Sequence, residues 1–215
     1  MKYEYILFDL DGTLTDPEKG ITKSFQYALE FYGIHETDRM KLRSIIGPSL
    51  RGSFVRFGVA EADVEEAMVK YRERFGTVGL FENAVYEGVK EMLAQVKATG
   101  AKVALATAKP TLYAVQIMEH YGLAPYFDYM LGSEMDGRRG EKVEVVRDVL
   151  AHFGNPDPTA CAMVGDRRYD MEGAKACGLD GVGVLYGYGT REELEAAGAT
   201  YLAETVSDLA DLLCE

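Results

Sequence analysis

Ile6-Leu7-Phe8-Asp9-Leu10-Asp11-Gly12-Thr13-Leu14-Thr15-Asp16 is an apolar run that breaks into two carboxylates spaced two apart and then a glycine. Residues 3–8 predict a short buried strand, apolar and aromatic and bounded by a turn signal. Asp9 and Asp11 fall just past its end, and in extended geometry residues i and i+2 share a face. Two carboxylates aimed at one point repel each other and lose hydration, a cost that a hard cation with oxygen ligands offsets. Gly12 lets the chain turn where a side chain would not fit. The plainer alternative is a strand that ends in an ordinary Asp11-Gly12 turn.

The pattern recurs downstream. In Met163-Val164-Gly165-Asp166-Arg167-Arg168-Tyr169-Asp170 a predicted strand over residues 160–164 ends in glycine and aspartate, with a second aspartate four residues on. A helix is predicted over 169–177, and Asp170 in its first turn suits the helix dipole with or without a function. A third predicted strand, 102–106, ends in Thr107-Ala108-Lys109-Pro110, with Pro110 as a helix start. Three apolar strands thus end in polar chemistry, and in an open α/β sheet ligands bind beyond the carboxyl ends of the strands.

The chain divides by periodicity. Residues 16–83 hold helical periods over 21–32, 38–46, 50–57 and 62–75, punctuated by glycine and by Gly47-Pro48. From Tyr86 helix and strand alternate: helix 86–99, strand 102–106, helix 111–121, strand 127–132, helix 141–153, strand 160–164, helix 169–177, strand 181–185. Such alternation predicts an α/β fold with a parallel sheet and right-handed crossovers. The expected organisation is a core of residues 1–15 and 84–215 with a helical insertion of residues 16–83. The chain has neither a Walker P-loop nor a GxGxxG after a strand, which weakens nucleotide-cofactor readings.

Four signatures in order, Asp9-Leu10-Asp11-Gly12-Thr13, then Thr107, then Lys142 opening a helix, then Gly165-Asp166-Arg167-Arg168-Tyr169-Asp170, resemble the haloacid dehalogenase superfamily over essentially the whole chain. The closest likeness is to its small phosphatases of the phosphoglycolate phosphatase and 5'-nucleotidase-like kind. The resemblance implies a Rossmann-like core with a mobile helical cap, hinged near Asp16-Pro17 and near residues 81–84, and Mg²⁺ as cofactor. It implies Asp9, Asp166 and the backbone carbonyl of Asp11 as metal ligands, with Asp170 acting through water or orienting the ligand shell.

Within that frame Asp9, first beyond the strand, is the candidate nucleophile of an aspartyl-phosphate route. The Asp11 side chain is the candidate general acid and base. Thr107 offers a hydroxyl to a phosphoryl oxygen, or caps a helix. Lys142 would neutralise phosphoryl charge, with Lys109 a competing cation and a solvated lysine the plainer alternative. Arg51, after Gly47-Pro48, is a candidate substrate contact from the cap, or the solvent-facing end of an interhelical turn. The Gly-rich stretch Tyr186-Gly187-Tyr188-Gly189 reads as structural.

Composition sets outer limits. Apolar residues make up 47% of 215, too many for disorder, and the apolar runs fall short of a membrane span. The start enters a strand without a signal-peptide pattern, and Cys161, Cys177 and Cys214 form no CxxC pair. A cytoplasmic protein, monomeric or homodimeric, is the expectation. The net charge of −12 argues against nucleic acid and anionic membranes as partners but not against a phosphorylated substrate, and the resemblance implies a small phosphorylated metabolite. The expected activity is hydrolysis of a phosphoglycolate- or nucleoside-monophosphate-like monoester. The alternatives are a phosphomutase of the same superfamily, β-phosphoglucomutase-like, and a pyrophosphatase.

Overall fold

The opening apolar run becomes strand β1 (Tyr5–Phe8) in the structure, a computed structural model that describes residues 2–214. Successive strand side chains point to opposite faces, and Ile6, Leu7 and Phe8 are all fully buried. Both faces of this strand are therefore covered, as parallel sheets flanked by helices require. The chain continues through β2 (Thr15–Asp16), α1 (Glu18–Phe31), α2 (Arg39–Arg43), α3 (Leu50–Arg56), α4 (Val64–Phe75) and β3 (Ala84–Val85). Alternation follows: α5 (Val89–Ala98), β4 (Lys102–Pro110), α6 (Thr111–His120), β5 (Tyr129–Ser133), α7 (Lys142–His152), β6 (Cys161–Gly165), α8 (Arg168–Cys177) and β7 (Asp180–Val184). The chain closes with α9 (Arg191–Ala197), β8 (Tyr201–Ala203) and α10 (Val206–Cys214).

Six strands form one parallel sheet in the order β5-β4-β1-β6-β7-β8. This is the Rossmann-like α/β architecture. Strand β1 pairs with β4 on one side and β6 on the other, so the order of winding reverses at its edge and the crevice of such a sheet opens at its carboxyl end. Against one face, Leu7, Ala104, Ala106, Cys161 and Met163 pack on Val145, Val146 and Val149 of α7 and Ala174 of α8. Cys161 is a fully buried core residue there. Strands β2 and β3 form a separate two-stranded sheet where the chain crosses between its two parts.

The chain resolves into two compact units, one of residues up to Asp16 and from Val85 on, the other Pro17–Ala84. The second is helical. Its core stacks Phe25 of α1 on Phe54 of α3, ring centroids 4.4 Å apart, with Phe57 edge-on to Phe25. The expected helix over 38–46 shortens to the five residues of α2. Asp38 caps it by accepting from the Met40 and Lys41 amides, and the Gly47-Pro48 turn follows soon after.

Strand β4 is longer than its apolar pattern predicts. It runs to Pro110 with a register shift between Ala106 and Pro110, so Thr107, Ala108 and Lys109 belong to an irregular strand end. A bulge of this kind re-aims side chains beside functional sites. The C-terminal elements α9, β8 and α10 lie beyond the last strand the periodicity reveals. Strand β8 is a three-residue edge strand of mixed exposure, too short to show alternation. Among the described residues no helix is long and apolar enough to cross a membrane.

Candidate active site

The Asp9 amide donates to Val164 O at 2.9 Å, which ties the residue after β1 to the end of β6. The chain then folds over sharply, the amides of Thr13, Leu14 and Thr15 all pointing at Leu10 O at 3.2, 2.9 and 3.1 Å. Gly12 sits in the turn with φ of 84°, and a Cβ there would fall 2.1 Å from Asp166 Oδ2. Glycine is thus required twice, for its left-handed backbone and for the close approach of Asp166. The Thr13 hydroxyl donates to Asp166 Oδ1 at 3.5 Å.

Asp166 follows β6 and Asp170 lies in the first turn of α8, where its Oδ2 accepts from the Arg167 amide at 3.1 Å. Lys142 opens α7 and is buried. Its ammonium lies 2.8 Å from Asp9 Oδ1 and 2.8 Å from Asp170 Oδ1, and it donates to Ala106 O at 2.9 Å. The two carboxylate contacts are ionic and lack hydrogen-bond alignment. Asp9 Oδ1 and Asp170 Oδ1, and separately Asp11 Oδ1, are buried oxygens with no hydrogen-bond partner among the described residues. The second lysine, Lys109, places its ammonium 2.6 Å from Asp11 Oδ2. Thr107 is buried, and its hydroxyl oxygen accepts from the Lys109 amide at 3.2 Å.

Burial dominates the electrostatics. It pushes the Asp166 carboxyl well above the ordinary range, with Asp170 and Asp9 adding to the effect. It pushes Asp170 up to about 6, opposed by Lys142 and reinforced by Asp9. It raises Asp11 too, against the Lys109 ammonium. Burial works against the charged form of Lys142, but Asp170 and Asp9 outweigh it and hold the ammonium above its ordinary value. Four carboxylates thus face two ammoniums, so ionising all four is costly without a further cation.

Oxygens of Asp9, Asp166 and Asp170 lie within 4.8 Å of one another. An all-carboxylate donor set, two of whose buried oxygens have an ionic contact but no hydrogen bond, fits a hard cation such as Mg²⁺. A cation there would also reverse the local drive toward protonation.

Sequence signatures far apart in the chain thus converge: Asp9, Asp166, Asp170 and Lys142 form one cluster, and Asp11 pairs with Lys109. Arg51 stands on α3 in the other unit, exposed, and donates to Glu65 Oε2 of α4 at 2.9 Å. The stretch Tyr186-Gly187-Tyr188-Gly189, read as structural from sequence, wraps Asp166. The Tyr188 amide donates to Asp166 Oδ2 at 2.8 Å, and a Cβ on Gly187 would lie 2.4 Å from both Asp166 Cβ and Gly12 O. The Tyr186 hydroxyl donates to Thr13 O at 3.1 Å, and that of Tyr188 bonds Asp16 Oδ1. The alternation of glycines directly after a strand was the available signal for backbone approaching another group closely.

A model of the haloacid dehalogenase-like hydrolase family matches residues 6–184. The chain belongs to this family. A 5'-nucleotidase of Pseudomonas aeruginosa is 41% identical to this haloacid dehalogenase-like hydrolase over 214 residues, covering 99% of this chain and 96% of its own. The tyrosine-protein kinase PtkA of Mycobacterium tuberculosis is 35% identical over 212 residues, covering 98% of this chain and 72% of its own. Among solved structures, a predicted phosphatase from Clostridium acetobutylicum superimposes with a TM-score of 0.93 at 41% identity over 99% of each chain. In this family member the acidic cluster gathers from the carboxyl ends of β1 and β6 and the first turn of α8.

Proposed function

We propose that this hydrolase is a Mg²⁺-dependent phosphatase that cleaves a small phosphate monoester through an aspartyl-phosphate, with nucleoside monophosphates the first substrate class to test. The observation that carries the reading is the Asp9 carboxylate at the reversal point of the sheet, shared between Lys142 and the Asp166–Asp170 cluster. The likeness to a 5'-nucleotidase supports the substrate class over phosphoglycolate.

Asp9, Asp166 and the backbone carbonyl of Asp11 would hold the cation, with Asp170 contributing directly or through water. When bound, Mg²⁺ screens the repulsion between the nucleophile and the phosphoryl oxygens. Asp9 attacks phosphorus, and Asp11 gives a proton to the leaving oxygen and then takes one from the water that cleaves the intermediate. Lys142 neutralises phosphoryl charge beside the Asp9 carboxylate it contacts. The Thr107 hydroxyl, whose oxygen already accepts from the Lys109 amide, retains its proton for a phosphoryl oxygen. The helical unit acts as the cap, opening and closing about the two chain crossings, with Arg51 reaching an anionic group of the substrate. The substrate is a small metabolite taken from solution, by a monomer or homodimer.

Phosphate release with and without Mg²⁺, over nucleoside monophosphates, phosphoglycolate, sugar phosphates and pyrophosphate, tests the reading, with Asp9→Asn as control. Metal-dependent release that the substitution abolishes is expected. Release that survives Asp9→Asn would remove the nucleophile assignment. The likeness to PtkA favours a second reading, transfer of the phosphoryl group to a tyrosine hydroxyl in place of water. Phosphotyrosine formed at the expense of inorganic phosphate, with ATP as donor and a tyrosine peptide present, would decide for it.

A further inference from the structure

Asp11 is anchored through one of its two oxygens. Oδ2 lies 2.6 Å from Lys109 Nζ, with the two side chains 19% and 6% exposed. Oδ1 is buried with no hydrogen-bond partner among the described residues. The lysine is itself held by backbone on the irregular end of β4. Its amide donates to the Thr107 hydroxyl, and the neighbouring Ala108 carbonyl accepts from the Ser133 hydroxyl of β5 at 2.8 Å. A buried ammonium on a clamped strand end fixes the carboxyl orientation far better than a solvated lysine would.

We propose that Lys109 is the positioning residue of the proton-transfer step: by engaging Oδ2 it leaves Oδ1 as the oxygen that delivers the proton. The inference rests on the reading of Asp11 as general acid. In the first step the bond from Asp9 to phosphorus forms and the bond to the leaving oxygen breaks. That oxygen keeps the bond's electron pair, takes the proton from Asp11 Oδ1 and departs as an alcohol. The carboxylate left behind is the anion that the Lys109 ammonium neutralises. In the second step water attacks phosphorus and returns a proton to Oδ1, and Asp9 is freed with inorganic phosphate. Lys109 touches Asp11 and acts through it, in contrast to Lys142, which meets the nucleophile.

The diagnostic is leaving-group dependence, since an alkoxide needs a proton to depart and 4-nitrophenolate does not. kcat/KM would be measured for the Mg²⁺-loaded enzyme on 4-nitrophenyl phosphate, phenyl phosphate and an alkyl phosphate, with folding followed by circular dichroism and thermal melting. For Lys109→Met the preference for 4-nitrophenyl over alkyl phosphate is expected to widen at least about tenfold, within the range that general acid catalysis supplies. Lys109→Gln, which keeps a donor for Oδ2, should widen it less, and it stands in should the methionine variant fail to fold. A loss of the same factor on all three substrates would overturn the inference, because it would mean that Lys109 serves binding or charge alone. Asp11→Asn on the same panel separates the two claims. If it widens the preference while both Lys109 variants leave it unchanged, the positioning role falls and the general acid stands. If Asp11→Asn leaves the preference unchanged, both fall.

Discussion

Lys142 is enclosed by two carboxylates and a carbonyl, and such a cation stabilises only as long as its partners remain. Lys142→Met removes the counter-charge of Asp9 and Asp170 and is expected to cost about 3–5 kcal/mol, the scale for breaking a buried pair. It should lower kcat by about 10²–10³, as loss of one preorganised charge does. Mg²⁺ should restore part of the stability and little of the rate, which chemical denaturation and steady-state kinetics would show. At Gly12, alanine meets both a left-handed backbone, worth about 1–2 kcal/mol, and the Asp166 carboxylate. Gly12→Ala is expected to lower the melting temperature and to shrink the stabilisation that added Mg²⁺ gives. At this scale most of the site was legible, because Asp9, Asp11, Asp166 and Asp170 stand in spacings with few bland uses. Lys142 and Thr107 needed their order along the chain. The partnership of Lys109 with Asp11 was not legible, since nothing in a Thr-Ala-Lys-Pro run reports which way a strand end turns.

The elements carry the second lesson. Strands β1, β4 and β6 and the helices after them follow from apolar runs and caps, but the β4 bulge and the Tyr186-Gly187-Tyr188-Gly189 turn depend on neighbours distant in sequence. Gly187→Ala forces the turn off Asp166 and should weaken Mg²⁺ binding measured by calorimetry, with smaller effect on overall stability. The start of β4 contains a separate electrostatic clamp. Burial pushes the Asp128 carboxyl up, but the Lys97 ammonium, the Val103 amide and Lys102 outweigh it and hold it below the ordinary range. A depressed carboxyl stabilises the fold above the ordinary carboxylate pKa and loses that contribution as pH falls through its folded value. Asp128→Asn should therefore cost about 1 kcal/mol near neutrality. The deficit should close below roughly pH 4, near the ordinary aspartate pKa. Melting curves of both proteins across pH 2–7 check the sign.

At the scale of the whole molecule, the cluster of Asp9, Asp166 and Asp170 lies entirely within the sheet-bearing unit, as does the core that supports it. Replacing residues 17–84 with a short linker should leave that unit folded by circular dichroism. It should still be stabilised by Mg²⁺, by about 2.7 kcal/mol when the metal is at a hundred times its dissociation constant. A collapsed product without cooperative melting would count against the independence of the unit. The same division bears on how the chain is made. Unit Pro17–Ala84 is contiguous, so all its contacts are available once that stretch has left the ribosome. Strand β1 precedes both of its partners in the chain, so it must wait for β4 on one flank and β6 on the other. Closing such long loops is the slow part of folding parallel sheets. The nascent chain therefore carries this apolar strand without β4 until residue 105 has been made, and without β6 until residue 164 has. During that interval its strand edge and apolar side chains are open to aggregation.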